Sequence, residues 1–255
     1  MDFEGMDQLR KYVPELNTPG GQARIGLIVL LFFTLTTAYF VTTDRIPTWS
    51  MDSQVLIFAI GFLIMSRFFF KKKEYQARYK ELAYRNALGR FVLPGLAIIF
   101  AAIAHIAYMN GPRIPSGWWS LPMEVLGWLM LIVGAALWLR SIFAFGADNL
   151  VMLYVYYPQE GRMVASSIYD VLRHPVYAAV LRVGIGLALL NSNAFTLTFA
   201  ILMPLGLTGW IRLVEEKELI ERFGQSYLDY RKRVPAFWPR PRHLGKFFQF
   251  LITGK

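Results

Sequence analysis

Residues 175–210 read PVYAAVLRVGIGLALLNSNAFTLTFAILMPLGLTGW. Two apolar runs, at 176–190 and 194–210, are separated only by Asn191-Ser192-Asn193. Asparagine and serine favour turns, because their short polar side chains hydrogen-bond to the neighbouring backbone. Each run is shorter than the roughly 20 apolar residues that a membrane-spanning helix needs. The stretch therefore predicts a tight hairpin of two helices in a membrane.

Four further apolar runs precede this hairpin. They occupy residues 25–41, 55–70, 91–109 and 125–145. Hydrophobic residues make up 55% of the 255-residue chain and charged residues only 17%, whereas a soluble domain carries about 25% charged residues. The composition excludes a disordered chain and an ordinary soluble globule. It predicts an all-α integral membrane protein with about six hydrophobic helical segments, including the C-terminal helical hairpin.

The basic residues fall on one side of the predicted membrane. Lysine and arginine number 27 against 17 acidic residues, so the formal net charge is +10. Most of this excess follows the second run and the hairpin, whereas the connections on the other side hold only Arg45 and Arg113. Because basic residues mark cytoplasmic segments, we expect a multi-pass protein with both termini and the active site cytoplasmic. This placement favours membrane lipids over nucleic acid as partners.

Cysteine and histidine usage restricts the possible chemistry. The chain has no cysteine, which excludes disulfides, thiolate metal sites and a cysteine nucleophile. Its histidines, His105, His174 and His243, are widely separated, so we expect no metal site. His105 lies within the third apolar run, and we expect it to hydrogen-bond inside the helix bundle.

The composition also divides the chain near residue 110. Residues 1–110 hold the N-terminal transmembrane pair, a basic connection and the third run. Residues 111–255 hold the fourth run, the hairpin and nearly all the polar residues suited to chemistry. The connection from Lys71 to Arg90 mixes basic and aromatic residues, which predicts an amphipathic helix on the inner membrane surface, in contact with anionic lipid.

Two polar stretches flank the hairpin. Arg173 and His174 directly precede Pro175, a residue that suits the first turn of a helix, so both lie where backbone N–H groups favour an anion. The adjacent Glu215-Glu216 follows the hairpin, and paired carboxylates of this kind bind an ammonium group or two hydroxyls. Arg182, a charge inside the hairpin, is expected to pair with one of these glutamates or to point into a cavity.

A third polar stretch follows. Tyr227, Tyr230 and Arg233 recur every three residues, so they share one side of a helix that Pro235 ends. Taken singly, each of the three stretches also fits a structural role: an interfacial arginine, a solvated helix start or an amphipathic surface helix.

In combination the three stretches are far more specific. The patterns Arg-His-Pro-x-Tyr (173–177), Glu-Glu-x-x-Leu (215–219) and Phe-Gly-x-x-Tyr-x-x-Tyr-x-x-Arg-Val-Pro (223–235) resemble the isoprenylcysteine carboxyl methyltransferase family and the related phospholipid N-methyltransferases. The resemblance covers residues 125–239. It implies an integral-membrane enzyme that binds S-adenosylmethionine from the cytoplasmic side and methylates a lipophilic acceptor.

The resemblance also implies roles for individual residues. Those assigned to cofactor binding are Val171, Leu172, His174, Tyr177, Glu215, Glu216 and Tyr227, and those assigned to catalysis are Arg173 and Arg233. Within this set, the backbone of Val171 and Leu172 would lie near the adenosine, and the glutamates would hold ammonium or ribose groups. Ser167 and Ala179 stand where the family usually has glycine.

Two other functions remain open. An NADPH-dependent membrane reductase of the sterol-reductase type carries a motif resembling Arg-His-Pro-Asn-Tyr, but Val176 replaces the asparagine here, and the glutamate pair favours the methyltransferase. A non-catalytic scaffold or transporter would have to explain why polar residues gather at one cytoplasmic mouth. The methyl acceptor also stays open among a prenylcysteine carboxylate, a phospholipid amine, a small thiol and another lipid acid.

Overall fold

The computed structural model describes residues 4–161 and 167–254, and within these ranges the chain is all-α. The helices, in chain order, are α1 (Met6–Tyr12), α2 (Pro19–Thr43), α3 (Ser50–Phe70), α4 (Lys72–Tyr79), α5 (Ala83–Ala87), α6 (Leu93–His105), α7 (Ser120–Phe145), α8 (Ala147–Leu150), α9 (Leu153–Tyr156), α10 (Pro175–Asn191), α11 (Ala194–Trp210), α12 (Glu216–Phe223), α13 (Gln225–Arg233) and α14 (Leu244–Thr253). Two π-helical stretches, Leu88–Val92 and Ile211–Glu215, join α5 to α6 and α11 to α12.

The predicted membrane helices are present. In the described part of the chain, five helical stretches are long and apolar enough to cross a membrane, and α10 is a shorter apolar helix. The five are Pro19–Thr43, Ser50–Phe70, Lys72–His105, Ser120–Phe145 and Ala194–Phe223. The protein is therefore an all-α integral membrane protein. The helix of the third apolar run, α6, ends at His105 and not at residue 109, because a turn follows it.

The hairpin turn between α10 and α11 is confirmed. Ser192 adopts a left-handed conformation with φ of +55°, and Asn193 caps α11 by accepting a hydrogen bond from the backbone N–H of Thr196 at 3.0 Å. Asn193 also donates to the Met109 carbonyl at 2.8 Å, and Asn191 donates to the Ile106 carbonyl at 2.9 Å. The turn is thus tied to the end of α6, at what we call the turn end of the bundle.

A buried polar cluster lies at this turn end. Nε2 of His105 lies 3.0 Å from a carboxylate oxygen of Asp44, its Nδ1 lies 2.7 Å from the side-chain oxygen of Gln54, and its ring stacks on Phe40 at 3.8 Å. His105 is completely buried. It is hydrogen-bonded within the bundle, as the sequence predicted, and it joins α2, α3 and α6.

Glycines allow α7 and α10 to pack closely. A Cβ atom added at Gly186 would lie 2.8 Å from the Gly127 carbonyl oxygen, and one added at Gly127 would lie 3.2 Å from the Gly186 carbonyl oxygen. Gly184 faces Met203 of α11 in the same tight manner. Glycines of the hairpin therefore permit close helix approach.

The opposite end, which we call the basic end, carries the segments that follow α3 and α11. Here the expected surface helix over Lys71–Arg90 is partly wrong. Tyr75 and Tyr84 are buried in protein, and the Tyr84 hydroxyl donates to the Val151 carbonyl at 3.1 Å. The segment before α2 also packs onto this layer, so protein contacts cover a face that was assigned to lipid.

Arg182 provides a second correction. It is buried, but it does not pair with Glu215 or Glu216. Its guanidinium donates to the Ala178 carbonyl at 2.8 Å and lies 4.4 Å from the ring centre of Trp238 and 5.4 Å from that of Phe247. Aromatic faces stabilise a cation in a desolvated site. The sequence could not show that a segment 56 residues away supplies these rings.

Candidate active site

A cavity of about 250 Å³ opens at the basic end of the bundle. One wall is apolar and comes from α3, α6 and α7. This wall includes Phe69, Leu96, Phe100, Trp138, Ile142 and Phe145. The facing wall is polar and includes Arg173, His174, Tyr177, Glu215, Glu218 and Tyr227. The cavity thus joins an apolar compartment to a cluster of titratable groups.

Glu216 lies at the centre of the polar cluster. Its Oε1 atom accepts hydrogen bonds from Nη2 of Arg173 at 3.0 Å, from Nε2 of His174 at 3.2 Å and from the hydroxyl of Tyr227 at 3.3 Å. Nη1 of Arg231 lies 3.3 Å from its other oxygen. Glu216 is only 1% exposed. A buried carboxylate tolerates this environment only because several donors surround it.

Glu215 is the neighbour that faces the cavity. Its Oε1 lies 3.4 Å from Nδ1 of His174. Its Oε2 is buried and accepts no hydrogen bond of normal geometry from the described residues. Oε2 of Glu216 is also buried without such a bond, but of the two glutamates only Glu215 lines the cavity. An unpartnered buried carboxylate oxygen is costly, so Oε2 of Glu215 is suited to a ligand that supplies an N–H or O–H donor.

His174 bridges the two glutamates. Burial lowers the pKa of its imidazole, but hydrogen bonds and charge from Glu215 and Glu216 outweigh burial and raise the pKa above its ordinary value. A protonated imidazole donates from both ring nitrogens, and both nitrogens have a carboxylate within 3.4 Å. The two glutamates therefore favour the protonated form of His174.

Two backbone contacts fix Arg173 and His174. The N–H of Arg173 donates to the Pro235 carbonyl at 2.8 Å, and the N–H of His174 donates to the Ala236 carbonyl at 3.2 Å. The Arg173 guanidinium also donates to the carbonyls of Arg231 and Val234 at the end of α13. The segment after α13 thus runs beside the start of α10 and holds it in place.

Of the remaining residues expected at the site, some line the cavity and others lie outside it. Tyr177 and Tyr227 line the cavity. Val171 and Leu172 are buried in the core just before Arg173, and neither is among the cavity-lining residues of the described chain. Arg233 is exposed, and its Nε donates to the Asp229 carbonyl of its own helix at 3.4 Å. The structure thus brings Arg173, His174, Tyr177, Glu215, Glu216 and Tyr227 together and leaves Arg233 outside.

The two positions where glycine was expected have different environments. Ser167 has a φ of +57°, a conformation that glycine adopts without strain. Ala179 is completely buried in the core, one turn inside α10. The positive φ of Ser167 gives a backbone reason for a glycine at this position.

Known proteins were compared with the chain. Residues 123–226 match the phospholipid methyltransferase family model. Protein-S-isoprenylcysteine O-methyltransferase B of Arabidopsis thaliana is 25% identical over 150 residues, which cover 58% of this chain and 73% of that protein. A probable protein-S-isoprenylcysteine O-methyltransferase of Oryza sativa is 23% identical over 146 residues, or 56% of this chain and 74% of that protein. The chain is thus similar to the isoprenylcysteine carboxyl methyltransferases and to the phospholipid methyltransferase family model. It is a methyltransferase.

The methyltransferase is also similar to a protein with a different named acceptor. Methanethiol S-methyltransferase 2 of Bradyrhizobium diazoefficiens is 26% identical over 200 residues, which cover 72% of this chain and 70% of that protein. No solved structure matches the chain. The proteins similar to this chain thus carry names for O- and S-methylation, so similarity alone does not specify the acceptor.

The structure adds site residues that the sequence analysis missed. Glu218 and Arg222 line the cavity together with Glu215, and Nη2 of Arg222 lies 3.2 Å from a carboxylate oxygen of Glu218. The spacing of three and four residues places these side chains on one helix face, and this signal was available in the sequence. The apolar wall had no such signal, because Phe69 and Trp138 come from helices far apart in the chain.

Proposed function

We propose that the protein transfers a methyl group from S-adenosylmethionine to a lipophilic acceptor. The supporting observation is that Glu215, with an unpartnered carboxylate oxygen, lines the same cavity as Phe100 and Trp138. A single cavity with a polar and an apolar wall suits a reaction between a charged, water-soluble donor and an apolar acceptor.

The polar wall would hold the cofactor. S-adenosylmethionine supplies an electrophilic methyl group on a sulfonium together with ammonium and ribose hydroxyl groups. Glu215 would accept a hydrogen bond from one of these donors at its free oxygen. Tyr177 and Tyr227 would line the same compartment, and the backbone of Val171 and Leu172 is proposed to lie near the adenosine.

Glu216 would act mainly as a positioning residue. Its Oε1 atom already accepts bonds from Arg173, His174 and Tyr227. By holding these three side chains it would keep the polar wall in one arrangement, and positioning of this kind accounts for most of the rate gain in an in-line displacement, on the order of 7–11 kcal/mol. A catalytic role for Arg233 would require its exposed side chain to swing toward the cavity.

The apolar wall would take the acceptor. Phe100, Trp138 and Ile142 come from helices α6 and α7, both of which are parts of membrane-spanning stretches. An acceptor with an apolar tail would reach the cavity from the bilayer, and the wall would exclude water from the reacting groups. The isoprenylcysteine named for the plant relatives and the methanethiol named for the bacterial relative are both compatible with an apolar compartment.

The orientation of the protein is part of this proposal. The cavity lies at the basic end of the bundle, and basic segments remain cytoplasmic in membrane proteins. Both termini and the active site would therefore face the cytoplasm, where S-adenosylmethionine is available.

Calorimetric titration of the detergent-purified protein with S-adenosylhomocysteine tests the cofactor. We expect micromolar binding by the wild type and at least about tenfold weaker binding by Glu215→Gln, which loses a charged acceptor. Glu221→Gln on the exposed face of α12 is the matched control and should bind like the wild type. A binding signal with NADPH in place of S-adenosylhomocysteine would indicate a reductase. No binding signal with either ligand would favour a non-catalytic membrane protein.

A further inference from the structure

Helix α14 has three distinct faces. Phe247 and Phe250 point into the protein and are buried. Leu244, Phe248 and Ile252 recur every four residues and are 42%, 50% and 74% exposed, so they form an apolar outer strip. A third face carries Lys246, Gln249 and Thr253, all exposed. With about 100° per residue, these faces follow one another around the helix in the order protein, apolar strip and polar strip.

The position of α14 explains the apolar strip. Nη2 of Arg140 donates to the Ile252 carbonyl at 2.8 Å, which places the end of α14 beside the span α7. Arg140 lies five residues before the end of α7, or roughly 8 Å along the helix axis. Leu139 and Phe143, on the same part of α7, are also exposed apolar residues. The outer strip of α14 therefore lies at the depth of the lipid-facing surface of α7.

Basic residues surround the beginning of α14. Arg242 and Lys246 are exposed, and Arg240 donates to the Lys232 carbonyl at 3.2 Å, which adds the basic end of α13 to the same surface. A helix with an apolar strip next to basic residues lies in the plane of a membrane interface. Its positive charges then meet the phosphates of anionic lipids.

We propose that α14 is an interfacial helix that binds anionic phospholipid, with Leu244, Phe248 and Ile252 among the acyl chains and Arg242 and Lys246 on the lipid phosphates. The occupant is the headgroup of a lipid in the same leaflet as the basic end, because the helix is attached to a membrane span and cannot leave that surface.

A continuous set of contacts leads from α14 to the active site. Phe247 of α14 and Trp238 both lie against the guanidinium of Arg182, within 5.4 Å. Two residues before Trp238, the Ala236 carbonyl accepts the N–H of His174. Lipid bound at α14 would hold this segment against the start of α10. This second step rests on the proposed function, since its consequence is tighter cofactor binding in an anionic membrane.

The test uses the full-length protein in nanodiscs of phosphatidylcholine alone or with phosphatidylglycerol. Native mass spectrometry measures phosphatidylglycerol that stays bound, and calorimetry measures S-adenosylhomocysteine affinity. Arg242→Gln/Lys246→Gln removes two charges from α14. The matched control Lys73→Gln/Lys80→Gln removes two exposed charges from the same end of the protein, away from α14.

We expect the α14 variant to retain about tenfold less phosphatidylglycerol than the wild type and the control variant to retain as much as the wild type. In the wild type, phosphatidylglycerol should tighten S-adenosylhomocysteine binding about fivefold, and the α14 variant should lose this difference. Equal lipid retention by wild type and α14 variant, or equal losses in both double variants, would overturn the proposal. If the wild type binds no S-adenosylhomocysteine in either nanodisc, the proposed cofactor is wrong, while lipid retention still decides the role of α14.

Discussion

Nε2 of His174 lies 3.2 Å from Oε1 of Glu216, and both side chains are buried. His174 directly precedes α10, and Glu216 is the first residue of α12, directly after the π-helical stretch. This contact joins the two halves of the motif region across 42 residues of chain. It is the centre of the polar wall, and the first two predictions follow from it.

Replacing Glu216 should destabilise the protein strongly. Glu216→Gln removes the charge that Arg173, His174 and Arg231 share, and breaking a buried ion pair in this way costs about 3 kcal/mol or more. The free energy of unfolding can be measured by denaturant titration in a mild detergent. Glu221→Gln, at an exposed position of the same helix, should change it by less than about 0.5 kcal/mol. Equal stability of the two variants would contradict the central role of Glu216.

Stability should decrease as the pH rises above 6.5 because of His174. Its pKa is raised in the folded protein above the ordinary value of 6.5, so the folded state binds a proton more tightly than the unfolded state does. The stabilisation is complete below pH 6.5 and is lost as the pH rises through the raised pKa. The denaturation midpoint of the wild type should fall over this range. His174→Gln should show a flatter profile, and an unchanged slope would exclude His174 as the group responsible.

The apolar wall should affect the acceptor and not the cofactor. Trp138→Ala removes a large aromatic surface from the cavity, which is worth about 1.5–3 kcal/mol of apolar contact, so we expect KM for a lipophilic acceptor to rise at least about tenfold. S-adenosylhomocysteine affinity should stay within a factor of about two. Leu139→Ala, at the next and exposed position of α7, should leave both unchanged. A selective loss of cofactor affinity in Trp138→Ala would reverse the assignment of the two walls.

The contact between α7 and α10 should not tolerate a side chain. Gly186→Ala places a Cβ 2.8 Å from the Gly127 carbonyl oxygen, and overpacking of this kind costs about 1–3 kcal/mol. Gly206→Ala in α11 is the control, because no atom lies within 4 Å of its added Cβ. This control should be neutral or stabilise the helix by up to about 1 kcal/mol. Thermal unfolding of the two variants in one detergent provides the comparison.

The polar motifs around the cavity were visible in the sequence, but their contacts were not. Glu215 and Glu216 are adjacent in the chain and were assigned the same function. In the structure Oε1 of Glu216 accepts hydrogen bonds from three side chains, whereas Glu215 lines the cavity. Which side chains each of two neighbouring carboxylates contacts depends on residues just before α10 and within α13, and sequence spacing carries no information about those distances.

Arg182 and Tyr84 show the same limit. The sequence identified Arg182 as a charge in a membrane helix and expected it to pair with a glutamate or to point into a cavity, but Trp238 and Phe247 stabilise it instead. Tyr84 was placed against lipid, but it is buried under protein from the 151–156 region and the N-terminal segment. In both cases the partner lies more than 50 residues away in the chain. It belongs to an aromatic or apolar stretch that no motif distinguishes from others.

The sequence by itself determined the membrane class, the helical spans, the hairpin turn at Asn191–Asn193 and the resemblance to a methyltransferase family. These follow from hydrophobicity, turn chemistry and motif spacing, which act over short distances along the chain. Only the tertiary structure decided that Trp138 and Phe100 line one cavity with Glu215, and that Oε1 of Glu216 accepts hydrogen bonds from three side chains. Those relationships depend on how whole helices pack, and helix packing brings together residues that no local pattern connects.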